Sequence, residues 1–407
     1  MVRVALLTNI PSPHQLPLAR ALVALLGPSA YRYVYTEPTH DERAKMGWQA
    51  AAEEPWCRQG TMDDAELLEA EVLLSGHRAL DLFRQRNAAG KVTLYASERW
   101  FKPPLGMLRL LVPTYFRMAW RFAQCVKAPN FTCLPMGIYA ARDMLRLLGL
   151  LRGDLCCLFR APKVAFESRP GGAIVPLDDV LRSGCLDAEA VRFAKRYGFV
   201  QIPESHWGAF TPRGLYAKVR LWGYFVAPSA HSQRGVGGHT LPIEEAPRAL
   251  WVGRLLDWKR VEVLARACRP RPDLKRAEVS LDIYGHGPEE ERLRRENAAY
   301  PNIAFHDFVP VERVRDLMRS HDIYVLPSNA YEGWGAVVSE ALEEGMRVLA
   351  SVQTGAGATM LPPSHLYDVD DEARLAELLR SNPAPLTIGP WTADNAAHVL
   401  QTFLAQR

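Results

Sequence analysis

No uncharged apolar run among the 407 residues approaches the ~20 residues a helix needs to cross a bilayer, and the apolar start, 2–8, is too short for a secretory leader. Low-complexity tracts are absent too. The seven cysteines are odd in number and scattered, with no C-x-x-C pair and no His/Cys zinc spacing. Neither a disulfide framework nor a structural zinc site is expected, and the thiols read as small buried residues in a reducing cytoplasm. Charge of one sign is also scarce: a net +4 with a pI near 8.6 is too weak a bias to argue for nucleic acid. What is present, 48% hydrophobic and 23% charged residues, suffices for two globular domains, each with its own core.

The apolar runs 2–7, 31–35, 71–75, 92–96 and 131–134 read as strands. Between them the amphipathic run 15–26, closed by Gly27-Pro28, reads as a helix, as do 79–87 and the segment after Gly137. This alternation is that of a doubly wound α/β sheet, where ligands lie beyond the carboxyl ends of the strands. His14, His77 and Glu98 each follow a strand and Tyr139 opens a helix, so these four are candidates for contacting an acceptor. Other readings stand beside them: His14 packing on the first helix, Glu98 in a surface ion pair with Arg99, and Asp143, near Tyr139, as a helix-start charge. Residues 38–60, with Trp48 and Trp56, form an excursion, and 170–211 offers one clear helix, 188–197. The run 221–227 reads as a closing strand.

From Pro228 to Pro247 the chain is polar, with Gly235, Gly237 and Gly238 close together, and the domains are expected to divide here, 1–235 and 236–390. Strands restart at 250–254, 279–284, 303–305, 324–327 and 348–352. An amphipathic helix, 391–404, with Thr392 as its cap, follows.

The segment from Arg99 to Lys127 contains six basic residues and no acid, interleaved with large apolar groups such as Trp100, Phe101, Trp120 and Phe122 and split by Pro113. Basic and aromatic residues on an interrupted helix suit docking on an anionic bilayer surface. An ordinary core helix with a basic outer face is the alternative, and no nucleic-acid reader motif accompanies the segment.

The densest stretch is 324–350, YVLPSNAYEGWGAVVSEALEEGMRVLA. A buried strand, a glycine-containing loop and a helix stopped by Gly345 form one βαβ unit, with Glu332 in the loop and Glu340 within the helix. At ~1.5 Å per residue Glu340 lies roughly 8 Å along the axis from Gly335. The free N–H groups of Gly335, Ala336 and Val337 suit a diphosphate, and carboxylates on both sides of it suit sugar hydroxyls. A nucleotide-sugar has that layout. The plainer alternative is a solvated loop acid and a surface helix acid. In the strand ending Gly253-Arg254, with Lys259 ahead of the next helix, two cations converge as a phosphate clamp would, a surface basic pair being the plainer reading of these two alone.

The string E-G-W-G-A-V-V-S-E-A-L-E-E-G, followed by the small-residue segment 355–358, resembles the E-x7-E signature of family-four glycosyltransferases of GT-B fold. NIPSPHQLPL and GIYAARDML resemble bacterial polysaccharide-assembly enzymes of that kind. The resemblance implies an α/β GT-B fold: two facing Rossmann-like, doubly wound parallel-sheet domains, with the helix in 391–407 crossing back onto the first. It implies a metal-independent, retaining hexosyltransferase without cofactor, using a nucleotide diphosphate sugar and a saccharide or lipid-linked acceptor in bacterial surface polysaccharide synthesis. Arg254, Lys259 and Glu332 then carry catalysis. Gly253, Val309, Gly333, Trp334, Gly335, Ala336, Val337 and Glu340 hold the donor, with the loop 355–358 exposed to it. The expected location is the cytoplasm, peripheral on the inner face of the cytoplasmic membrane through 99–127. Rival readings are a sugar-nucleotide epimerase or phosphorylase of the same shape, and a non-catalytic scaffold.

Overall fold

The computed structural model describes residues 2–39, 52–229, 246–270, 279–381 and 385–405. Trp48, the three linker glycines and the expected division between 235 and 236 lie outside them. The chain forms two units, Met1–Ala227 with Pro390–Arg407, and Pro228–Gly389.

The first unit is built on β1 (Val4–Thr8), β2 (Tyr31–Tyr35), β3 (Cys57–Gln59), β4 (Val72–Ser75), β5 (Val92–Ser97) and β6 (Phe131–Pro135), in the order β3-β2-β1-β4-β5-β6. All five pairings are parallel. Such strands are covered on both faces, which is why β1 and β4 are buried along their whole length rather than alternately. The chain winds outward from β1 to β3 and then places β4 on the other flank of β1, so the winding reverses between β1 and β4. Helix α1 (Leu16–Leu26) buries Leu16, Leu18, Ala19 and Leu22 and ends at Gly27, whose φ of +87° a side chain would resist. Helices α2 (Pro113–Val126) and α3 (Ile138–Leu150) flank β6 in sequence. Arg86, fully buried, has no carboxylate partner among the described residues and donates instead to the carbonyl oxygens of Leu67, Leu68, Ala70, Glu71 and Val92. Burial lowers its guanidinium pKa to about 10.

A three-stranded sheet, β8 (Ile174–Pro176), β7 (Val164–Phe166) and β9 (Phe199–Gln201), sits on its own cluster of Ala165, Val175, Leu177, Val180, Ala194, Val200 and Ile202. The expected strand at 221–227 does not form. Its backbone partners change at each step: Leu221 donates to Gly172, Trp222 to Pro135, and Val226 bridges Thr392, so no continuous ladder is made.

The second unit repeats the winding with β10 (Arg248–Val252), β11 (Ser280–Tyr284), β12 (Ile303–His306), β13 (Ile323–Leu326), β14 (Arg347–Ser351) and β15 (Leu366–Tyr367), in the order β12-β11-β10-β13-β14-β15, all parallel. Here the reversal falls between β10 and β13. Its core joins Ala249, Trp251, Leu281, Ile283, Ile323, Val325 and Leu349. Helices α4 (Val261–Ala267), α5 (Val311–Arg319) and α6 (Val337–Glu343) connect these strands.

The glycine-alanine segment at 355–358, expected as an exposed loop, is instead the buried start of α7 (Gly355–Met360). A Cβ at Gly355 would come within 2.4 Å of the Gly333 oxygen, and Ala356 donates its N–H to Trp334 O at 2.7 Å. The segment therefore supports the Glu332 loop by packing behind it.

Helix α8 (Ala393–Leu404) crosses back to the first unit and packs along α1 through Ala393, Ala396, Ala397 and Leu400. Thr392 caps it by accepting the Asn395 N–H, and Trp391 donates its indole N–H to Ser168 Oγ at 3.3 Å.

Candidate functional site

Ligands of open parallel sheets sit beyond the carboxyl ends of the strands where the winding reverses. In the second unit that place holds Lys259, just past β10, and Glu332, just past β13. Lys259 Nζ donates to Glu332 Oε2 at 2.6 Å, and Ser328 Oγ donates to the same oxygen at 2.9 Å. Both charged side chains are largely covered, 19% and 12% exposed, and the ammonium also lies 4.4 Å from the Trp258 ring centroid. Asn329 N–H donates to Trp258 O, fastening one loop to the other. Arg254 stands exposed nearby in sequence, and its guanidinium makes no hydrogen bond or ion pair among the described residues.

Gly253 donates its N–H to Tyr284 O, and a Cβ at Gly285, whose φ is +136°, would overlap the Gly253 oxygen at 1.9 Å. Only glycine lets these two strand ends lie so close. Gly335 has a φ of +87°, which turns the chain into α6. Among the described residues the N–H groups of Gly335, Ala336 and Val337 are not donated to any acceptor, as expected at a helix start. Trp334 is 1% exposed, so a ligand could meet only its backbone. Gly333 turns its carbonyl toward Gly355. Val309 lies in the loop after β12, partly buried, with its N–H and C=O unbonded among the described residues.

Glu340 is half-buried in α6, and its carboxylate accepts no hydrogen bond among the described residues. Burial raises its carboxyl pKa, the nearby Arg315 guanidinium opposes that rise, and Glu344 adds to it. The neighbouring Glu344 is fully engaged, accepting from Arg315 at 2.5 Å, Arg319 at 3.2 Å and Ser229 Oγ at 3.0 Å. Within α6 the Glu343 carboxylate accepts the Ser229 N–H at 2.7 Å, so Glu340 is the acid of this helix whose carboxylate accepts nothing from the described residues.

The first unit has its own cavity of about 700 Å³ at the corresponding reversal, between the ends of β1 and β4. It gathers His14, His77 and Glu98, which the sequence places 84 residues apart at the extremes, together with Arg78, Ser97, Lys102 and Tyr224. Burial lowers the pKa of His14, with Glu98 pulling the other way, and its ring lies 5.4 Å from that of Tyr224. Burial also lowers that of His77. Glu98 pairs with Lys102 rather than with Arg99. Arg99 turns instead to Asp143, which is buried and also accepts the Phe101 N–H at 3.1 Å, so that acid fastens the 99–101 loop. Tyr139 does not line the cavity; it packs edge-on to Phe199 at 5.6 Å with the Arg99 guanidinium over its ring. Arg78, Ser97 and Tyr224 were not singled out by sequence, although Arg78 and Ser97 stand beside residues that were.

The basic segment is divided differently from its expected membrane face. Trp100 and Phe101 are core residues, 1% and 4% exposed, because the chain before α2 folds under Tyr95, Tyr115 and Phe122. The exposed apolar groups are Leu105, Leu108, Leu111, Val112, Phe116 and Trp120. Arg121 is tied to Asp81 at 2.7 Å.

Residues 246–381 match the family model described as Glycosyl transferases group 1. An uncharacterized glycosyltransferase of Methanocaldococcus jannaschii is 29% identical over 113 residues, 27% of this chain; the match spans 29% of that relative's length. Among solved structures, Anabaena HepE in complex with UDP superposes with a TM-score of 0.53 at 12% identity, covering 100% of this chain and 98% of the other. A trehalose-6-phosphate protein from E. coli bound with UDP-2-fluoro glucose gives 0.53 at 11%, covering 98% and 96%. The lipopolysaccharide outer core galactosyltransferase WaaB, in its apo form, gives 0.51 at 13%, covering 99% and 95%. The fold these structures share with this chain is GT-B, two Rossmann-like parallel-sheet units.

Proposed function

We propose that this chain is a GT-B glycosyltransferase that moves a sugar, with retention of anomeric configuration, from a nucleotide diphosphate sugar to a saccharide acceptor. The observation that carries the reading is the Lys259–Glu332 pair at the β10/β13 reversal, beside the undonated N–H groups of Gly335, Ala336 and Val337. The group 1 match over the same residues, and the UDP ligands of HepE and of the E. coli protein, are in keeping with a nucleotide-sugar donor.

On this reading the diphosphate lies on the helix start, where unpaired donors and the peptide dipoles favour an anion. Glu332 accepts hydrogen bonds from the donor sugar and Glu340 from the ribose. As the anomeric C–O bond breaks, its electron pair stays on the diphosphate oxygen. Lys259 and Arg254 stabilise that growing charge without a metal. The acceptor oxygen forms the new bond to the anomeric carbon and passes its hydroxyl proton to the departing diphosphate oxygen, and the first-unit cavity is its site. We further place the enzyme on the inner face of the cytoplasmic membrane, with a lipid-linked acceptor of bacterial surface polysaccharide synthesis. Support for this is the exposed Leu105, Leu108, Leu111, Phe116 and Trp120 set among Arg109 and Arg117.

Incubation with a panel of UDP-, GDP- and ADP-sugars, followed by mass detection of free sugar and nucleotide, tests the reading. Slow hydrolysis of at least one donor is expected. Lys259→Ala should lower its turnover about a hundredfold with a smaller change in donor affinity, since the lost contact is strongest as the leaving group departs. Binding without turnover of any donor, by a chain unaffected by Lys259→Ala, favours the scaffold reading. Isomerised nucleotide-sugar or phosphate-dependent cleavage favours the epimerase or phosphorylase.

A further inference from the structure

The first-unit cavity contains polar groups for which the described residues supply no counterpart. Arg78, just past β4, donates Nε–H to the Tyr95 hydroxyl at 3.2 Å, and its guanidinium carbon lies 4.3 Å from the Trp100 ring centroid. Tyr95 and Trp100 are both buried, so these two contacts fix the plane of the guanidinium. Its two terminal amino groups make no hydrogen bond, and no carboxylate pairs with it, among the described residues. Ser97, at the end of β5 and 8% exposed, has a buried hydroxyl with no partner there, and His77 Nδ1 is likewise buried and unpartnered. All three residues line one cavity.

The other charges of that cavity are largely spoken for. Lys102 holds Glu98, and Arg99 reaches Asp143. Glu37 is exposed, and its charge is felt at His77. A pre-oriented guanidinium fork with two free amino groups is suited to bidentate pairing with a planar or tetrahedral oxyanion. A hydroxyl and a neutral imidazole N–H beside it are further donors.

We propose that this corner of the cavity binds an anionic group, phosphate or carboxylate, carried by the acceptor. Arg78 receives it through both amino groups, and Ser97 Oγ and His77 Nδ1 complete its hydrogen bonds. The inference deepens the glycosyltransferase reading, on which it rests for calling the bound molecule an acceptor. It narrows the substrate class to acidic or phosphorylated saccharides.

Calorimetry on the full chain saturated with UDP, so that any phosphate subsite in the second unit is filled, tests it with glucose 6-phosphate, glucuronate, glucose and inorganic phosphate as probes. One of the two charged sugars should bind at least tenfold more tightly than glucose, and inorganic phosphate should compete with it. The choice between glucose 6-phosphate and glucuronate identifies the anion. Arg78→Gln should erase the preference, Arg78→Lys should restore part of it, and Ser97→Ala should weaken the charged sugar severalfold. Equal binding of charged and neutral sugars, or a preference that survives Arg78→Gln, overturns the proposal. Should circular dichroism show that Arg78→Gln does not fold, the parent's preference and its severalfold weakening in Ser97→Ala decide the matter. Failure of UDP to bind, with the anion preference intact, removes the glycosyltransferase reading and leaves the anion site; the reverse removes only the anion site.

Discussion

Glu340 separates stability from ligand binding at a single residue. Burial raises its pKa, so the folded chain holds this proton more tightly than the unfolded chain does. Its ionisation therefore costs stability as pH rises through the unfolded and then the folded pKa, and the cost is absent below both. Glu340→Gln has no charge to desolvate. It should melt at a higher temperature than the parent at pH 8, with the advantage fading toward pH 4. The same change should weaken nucleotide binding about ten- to a hundredfold, the ~1.5–3 kcal/mol of a hydrogen bond to a charged acceptor. Thermal melts across pH and UDP titration check both halves, and a variant that melts lower at pH 8 or binds UDP as the parent does contradicts the assignment. At this scale the sequence was legible where spacing along one element carries the meaning, as with Glu332 and Glu340 flanking a helix start. It was silent where the partner comes from far along the chain. The Lys259–Glu332 pair spans 73 residues, and the setting of Arg78 depends on Tyr95 and Trp100.

Among elements, β11 and β12 are locked at one face by Asp282. It accepts from His321 Nε2 at 3.0 Å, His306 Nε2 at 2.6 Å and Arg248 at 3.0 Å, with His306 stacked on Tyr284 at 4.3 Å. His321 first, then His306 and Arg248, hold this carboxyl well below the ordinary carboxylate range. A depressed carboxyl contributes stability that is full above its unfolded pKa, about 4, and is lost as pH falls toward the folded value. Asp282→Asn should cost roughly 1.5–3 kcal/mol at neutral pH, and the gap to the parent should stay constant down to about pH 4 and shrink below it. Denaturant unfolding at several pH values measures that gap. The alternation of strands and helices was readable because periodicity is a property of the local chain. Elements whose identity is decided by packing were not. The segment at 355–358 has the glycines of a loop, yet closure against Gly333 makes it helical. The run 221–227 has the composition of a strand, yet no single neighbour accompanies it.

For the whole molecule, the membrane reading now rests on only part of the side chains the sequence offered, Trp120 among them. Trp100 and Phe101 belong to the core and take no part. Co-sedimentation with anionic vesicles should fall with salt but not vanish, since each basic residue near the surface contributes ~1 kcal/mol that salt screens. The burial of Leu108, Leu111 and Phe116 is not screened in this way. Replacing Arg109 and Arg117 with glutamine should remove most of the anionic preference, and Leu108→Ala with Leu111→Ala should lower binding at every salt concentration. Equal sedimentation with neutral and anionic vesicles contradicts this. Helix α8 carries a consequence for the order of events during synthesis. The first unit is translated as far as Ala227, but the side of α1 that packs on α8 stays bare until α8 emerges, after the whole second unit. The second unit is thus complete while one side of the older unit still waits open. A chain stopped at Gly389 should yield to limited proteolysis within the first 227 residues and resist it beyond residue 246, as a nascent chain at that point would.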